Sequence, residues 1–70
     1  MRVLSIDPGI RTTGFGIIDS KFSRLSLIAC GTINPKVRDN LPLRLNHLFE
    51  EVELIINKFS PDIFSIEDMF

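Results

Sequence analysis

The sequence predicts an α/β fold built on one mixed sheet of four strands in the order 3-2-1-4, with a single crossover helix. Three observations predict it. Arg2–Ile6 is a short, nearly continuous apolar run, as a central strand buried on both faces requires. Apolar residues then switch to three- and four-residue steps between Leu41 and Phe59. The connections between the first three elements are short, whereas a helix separates the third strand from the fourth.

Strand 1 covers Arg2–Ile6 and runs into Asp7-Pro8-Gly9, a turn sequence. Strand 2 is Gly14–Asp19 (GFGIID), and Ser20–Ser23 reads as a polar connection. Strand 3 is Arg24–Ile33, with Leu25, Leu27, Ala29 and Ile33 expected on one face. Asn34–Asn40 contains Pro35 and mixed charge and reads as an exposed loop. Leu41, Leu45, Leu48, Phe49, Val52, Ile55, Ile56 and Phe59 define an amphipathic helix. Asn40 suits its N-cap, and Pro42 is tolerated in the first turn, where its missing N–H has no helical partner. Ser60-Pro61-Asp62 ends the helix, and Ile63–Glu67 is the last strand. Strands 1-2-3 form an antiparallel meander. A right-handed helical crossover then sets strand 4 parallel to strand 1.

Seventy residues allow at most one domain, and a chain of this size buries only about 60% of the surface its unfolded form exposes. One helix covers one face of the sheet, and strand 4 leaves an apolar edge. The chain therefore reads as the front part of a larger α/β domain, or as one that needs a partner to complete it. The lone Cys30 excludes an internal disulfide framework and a multi-cysteine zinc site. The N-terminal apolar run is too short for a signal peptide, and no stretch reaches membrane-spanning length. The expectation is a soluble, cytoplasmic protein with no membrane partner.

Net charge is −1, but the charges are segregated. Residues 1–44 carry seven Lys/Arg against three acids, while residues 45–70 carry one Lys against six acids. Such asymmetry permits a basic loop surface beside an acidic site.

Asp7 ends strand 1 and Glu67 ends strand 4. On adjacent parallel strands, about 4.8 Å apart, both carboxylates emerge at one edge of the sheet. Like charges so placed repel unless a cation neutralises them. A hard ion with oxygen ligands, Mg²⁺ or Mn²⁺, suits the pair and would serve metal-assisted phosphoryl chemistry. The plain alternative stays open: Asp7 as a turn former and Glu67 as a solvated strand end. His47 lies beside the apolar stripe of the helix and reads as a boundary residue, and Cys30 reads as a small apolar filler. Gly14 and Gly16 weaken strand 2, with packing or turn geometry as the expected reason and space for DNA or a neighbouring element as the alternative.

Asp7-Pro8-Gly9, Arg11 and Thr13-Gly14-Phe15-Gly16 resemble the opening of the RuvC family of Holliday-junction resolvases. The resemblance continues through Leu41-Pro42, Arg44-Leu45 and Phe59-x-Pro61-Asp62, and closes on Ile66-Glu67-Asp68-Met69-Phe70. Ser5, Ile10 and Met69 depart from the commoner residues and remove no catalytic group. The resemblance implies a ribonuclease-H-like fold, of which residues 1–70 are the N-terminal part of a single nuclease domain. It implies a Mg²⁺-dependent homodimeric endonuclease with two ions per complete site (Mn²⁺ as a substitute). Such an enzyme makes paired nicks across four-way junction DNA and works with the bacterial RuvA–RuvB complex. Asp7 and Glu67 match catalytic, metal-binding carboxylates, and Phe70 matches an aromatic that meets bases at the opened junction. Arg11, Thr13, Lys36 and Arg38 are further candidate DNA contacts. Two other readings stand beside it: the phosphate-binding half of an actin-, hexokinase- or Hsp70-like ATPase, and a non-catalytic fragment. The family's remaining acidic ligands are not in these 70 residues, so the chain alone is expected to be inactive or nearly so. Junction cleavage by the purified 70-residue chain, abolished by Asp7→Asn, is the measurement that would contradict this.

Overall fold

In the computed structural model, which describes residues 1–9, 12–36 and 40–66, the chain runs β1 (Arg2–Asp7), β2 (Thr13–Lys21), β3 (Arg24–Ile33), α1 (Leu41–Phe59) and β4 (Ile63–Ile66). The sheet order is β3-β2-β1-β4. β1 pairs antiparallel with β2 and parallel with β4, as the connection lengths predict.

Cross-strand partners share a face, and successive residues alternate. Leu4 and Ile17 are partners in the register, and both are fully buried. Together with Ile33 and Ile55 they form the core, with Ile6, Phe15, Ala29, Leu48, Val52, Ile56 and Phe59 packed around it. α1 therefore covers the face that carries Leu4, Ile6, Phe15 and Ile17. Val3, Ser5 and Asp7 alternate onto the other face, opposite Ile18, Gly16 and Gly14.

Asn40 caps the helix: its side-chain oxygen accepts from the Leu43 N–H at 3.0 Å. Ser60 closes the other end in the left-handed region, donating its N–H to Ile56 O at 2.8 Å. The core lies under the second half of α1. Leu41, Leu45 and Phe49 belong to the apolar stripe in sequence but are exposed, Phe49 at 69%. A hollow of about 280 Å³, lined in part by Pro8, Gly9, Thr13, Leu41 and Leu45, lies between the first turns of α1 and the end of β1.

Three sequence expectations are corrected. β2 continues through Ser20 and Lys21, so the connection is the two-residue turn Phe22-Ser23. The residues expected on one face of β3 are divided between two. Ile17 pairs with Ala29 but Ile18 pairs with Leu27, which leaves Ile28 as the extra residue of a bulge. Ala29 and Ile33 join the core side, whereas Leu25 and Leu27 (77% and 65% exposed) face away from α1. Cys30, opposite Gly16, is exposed and fills no core.

The end of the sheet remote from Asp7 is tied by Arg2. Its Nε and Nη2 donate to the two carboxylate oxygens of Asp19 at 2.7 and 3.0 Å, and its Nη1 donates to Phe59 O at 2.8 Å. The backbone of Arg2 exchanges hydrogen bonds with Asp62: its N–H donates to Asp62 Oδ2, and its carbonyl accepts from the Asp62 N–H. One residue thereby joins β1, β2, the end of α1 and the approach to β4.

The hydrogen bonds from Arg2, followed by its charge, hold the Asp19 carboxyl below the usual carboxylate range. A carboxylate depressed in the folded state adds stability above its unfolded value, near pH 4, and loses it as pH falls through the folded value. Asp19→Asn should therefore lower the thermal midpoint at neutral pH. The gap to wild type should close as pH falls from about 5 towards 3, followed by circular dichroism. A gap that does not depend on pH would remove the ion pair from the account.

Candidate active site at the carboxyl end of the sheet

β1 ends on Asp7 because the chain must turn there. A Cβ at Gly9 would run into the Thr12 carbonyl oxygen, so Pro8-Gly9 folds back more tightly than a larger residue allows. Asp7 is exposed, and its side chain makes no hydrogen bond or ion pair among the described residues. Its partner in the register is Gly14, where an added Cβ would lie 4.0 Å from Asp7 Cβ. At Gly16 an added Cβ would meet nothing within 4 Å. No glycine has a positive φ. Neither packing among the described residues nor turn geometry accounts for Gly16, contrary to expectation. Around Asp7 the sheet face therefore carries little side-chain bulk: Ser5 and Ser65 are neighbours in β1 and β4, and Gly14 and Gly16 in β2. Gly31 does have a packing reason. The Phe15 ring lies across it, 3.0 Å from where a Cβ would sit.

β1 and β4 stay in parallel register up to the pair Ile6 and Ile66. The catalytic candidate Glu67 follows Ile66 and lies outside the described residues, as do Arg11, Arg38 and Phe70. Lys36 is exposed, three residues beyond the end of β3. That end is the same edge of the sheet as Asp7, since Thr13 pairs with Ile33 and Gly14 with Asp7. Thr13 is 5% exposed on the α1 side, so its hydroxyl is not presented to a ligand on the face of Asp7. His47 is half-buried on α1, as a boundary residue should be.

Asp7 offers hard oxygen donors at an exposed, sterically open position, which fits one ligand of a divalent ion. Among the described residues no cluster of three or more His, Cys, Asp or Glu forms. The described residues thus supply one carboxylate of such a set.

Arg2 is the important residue that sequence reading misses. The signal was present in the register: once Asp7 stands opposite Gly14, antiparallel pairing sets Arg2 opposite Asp19.

Sheet order, helix placement and a carboxylate at the end of the central strand define the class as ribonuclease-H-like. The solved structures agree. Thermus thermophilus RuvC superposes with a TM-score of 0.87 at 21% identity, covering 97% of this chain and 45% of that one. The same protein in complex with Holliday junction substrate also gives 0.87, covering 100% and 45%. An Aquifex aeolicus member of the Ppx/GppA family gives 0.72 at 22% identity, covering 94% and 25%. These likenesses show the fold.

The family is shown by the sequence. Residues 3–70 match the family described as crossover junction endodeoxyribonuclease RuvC, and the chain belongs to that family. The relative of that name from Cupriavidus pinatubonensis is 44% identical over 70 residues, which is all of this chain and 39% of the relative. The one from Paraburkholderia phytofirmans is 47% identical over the whole chain and 38% of its own length. The chain spans about two-fifths of the length of these relatives. No described helix is long and apolar enough to cross a membrane.

Gly9→Ala should destabilise the protein by about 1–3 kcal/mol, because the turn that orients Asp7 must open. Urea unfolding measures this, and an unchanged midpoint would mean that the turn absorbs the methyl group.

Proposed function

We propose that this chain carries the first catalytic stretch of a structure-selective endonuclease that resolves four-way (Holliday) DNA junctions in recombination and repair. The observation that carries the reading is Asp7: an exposed carboxylate, uncommitted among the described residues, at the end of the central strand, in a chain of the RuvC family. Residues 1–70 are read as the N-terminal part of one nuclease domain. Glu67 is the proposed second carboxylate, supported by the parallel pairing that reaches Ile66 immediately before it.

Mg²⁺, or Mn²⁺ in its place, would hold the attacking and leaving oxygens of the phosphodiester when bound, with two ions in the complete site. Asp7 contributes negative oxygen donors at a fixed position. The small residues around it let a sugar–phosphate backbone approach the sheet. Lys36 is placed for a phosphate contact on the same edge, and Arg11, Arg38 and Phe70 are the proposed further contacts. A contact from Thr13 is not part of the proposal, since that side chain is buried. The family relationship further supports a bacterial, cytoplasmic homodimer that works with RuvA–RuvB. The Thermus protein solved with junction substrate supports four-way DNA as the ligand. The family match over residues 3–70 favours this reading over the ATPase half.

Asp7→Asn in the intact protein should reduce junction cleavage by at least about 100-fold, as loss of a direct metal ligand exceeds loss of a supporting contact. Junction binding and the thermal midpoint should stay near wild type. Glu67→Gln should behave alike. Cleavage that survives both changes would refute the assignment, and equal cleavage of linear duplex would refute structure selectivity.

A further inference from the structure

The hairpin between β2 and β3 closes on Phe22 and Ser23, with φ of 51° and 63°. A bulky side chain rarely adopts that left-handed backbone. The turn leaves the Phe22 ring 89% exposed, with Lys21 Nζ 5.7 Å from its centroid. Arg24 stands opposite Lys21 in the register. Among the described residues neither cation forms an ion pair. The nearby acid, Asp19, is already engaged by Arg2. The hairpin therefore carries positive charge that nothing described compensates. A shallow hollow of about 630 Å³ opens beside it, walled by Lys21, Phe22, Arg24, Ser26 and Ile28 together with Asp19, whose carboxylate is held by Arg2.

β3 is an outermost strand, and its outer edge pairs with no other strand among the described residues. Leu25 and Leu27 are exposed along it. A free edge of this kind is a template for another extended segment.

Position argues against shared use with the candidate active site. Lys21 is seven residues along β2 from Gly14, the partner of Asp7, or about 23 Å. Lys21 also alternates onto the α1 side of the sheet, whereas Asp7 faces the other way. A nucleic acid seated on Asp7 would lie at the opposite end of the sheet, and on the opposite face from Lys21 and Arg24, although Leu25 and Leu27 share the face of Asp7.

We infer that the outer edge of β3 and its hairpin form a docking surface for an extended acidic segment of a protein partner. The segment adds to β3 as a further strand, with carboxylates at Lys21 and Arg24 and apolar side chains against Leu25 and Leu27. The inference goes beyond the nuclease reading and does not depend on it.

The test uses the intact protein and a short fluorescent peptide of alternating Glu and Val. Anisotropy should show saturable binding, weakened at least about tenfold by the double change Lys21→Glu and Arg24→Glu. A peptide of alternating Lys and Val should bind the charge-reversed protein better than wild type. Amide exchange at Leu25 and Leu27 should slow when the Glu peptide is bound, while circular dichroism and the rate of junction cleavage stay at wild-type levels. Absence of saturable binding, no effect of charge reversal, or unchanged amide exchange would overturn the proposal. So would charge reversal that weakens four-way junction binding and spares the peptide, which would assign the surface to nucleic acid.

Discussion

Arg2 holds three neighbours with one side chain and its own backbone: Asp19 on β2, the Phe59 carbonyl at the end of α1, and Asp62 before β4. Its planar guanidinium can bind a carboxylate through two parallel donors and still present a third to a carbonyl, which a lysine could not do. The pairing of Arg2 with Asp19 belongs to the same register as that of Asp7 with Gly14. Side chains alternate with a period of two, so a slip of one residue would turn Asp7 towards α1 and Leu4 away from it. The contact that makes the slipped register costly thus sits at one end of β1, while the residue it orients sits at the other.

The two ends of the sheet divide their tasks. At the Arg2 end polar groups are consumed: the N-terminal amine donates to Ser20 O, the Ser20 N–H donates to Met1 O, and Asp62 bonds the Arg2 backbone. At the Asp7 end a carboxylate is left uncommitted among the described residues, beside glycines and serines. Among the described residues, backbone strain also lies away from Asp7. The positive-φ residues other than glycine are Phe22, Ser23 and Ser60, among the described residues. Each such residue costs on the order of 1–3 kcal/mol when its side chain is poorly suited to the conformation. Ser60 recovers part of that cost by closing α1.

Much of this was legible in the sequence, and the failures have physical causes. The order 3-2-1-4 followed from connection lengths, because two short loops and one helix leave few arrangements. Asp7 could be placed because a turn sequence stands directly after the apolar strand. The two faces of β3 could not be assigned, since strict alternation through Arg24–Ile33 assumes no extra residue, and the bulge at Ile28 supplies one. Three consecutive apolar residues, Leu27-Ile28-Ala29, were the mark of the slip. The helical stripe from Leu41 to Phe59 was read correctly as a period, but a period does not say how much of its length meets the sheet. The placement of Thr13 was hidden for a related reason: composition names a hydroxyl, and only the register shows that it pairs with Ile33 on the α1 side.

Exposed apolar surface gives the last step. Among the described residues four side chains make up the buried hydrophobic core, while Leu25, Leu27, Ile28, Ile63, Phe64 and Ile66 remain open on the sheet. Burying one such side chain fully is worth about 1.5–3 kcal/mol, so leaving this set exposed forgoes an amount comparable to the whole net stability of a marginal fold. The two edges of the sheet are not equivalent in this respect. β4 offers a four-residue apolar strand, parallel to its neighbour, of the kind that is normally covered on both faces. β3 is ten residues long, is bulged at Ile28 and begins with a cation beside the cation that ends β2. Bulges and charges are the devices by which a sheet limits pairing at an edge that stays in water. Among the described strands β4 thus presents the less protected edge, while bulge and like charges disfavour general pairing along β3, so the pairing inferred there depends on a segment of opposite charge.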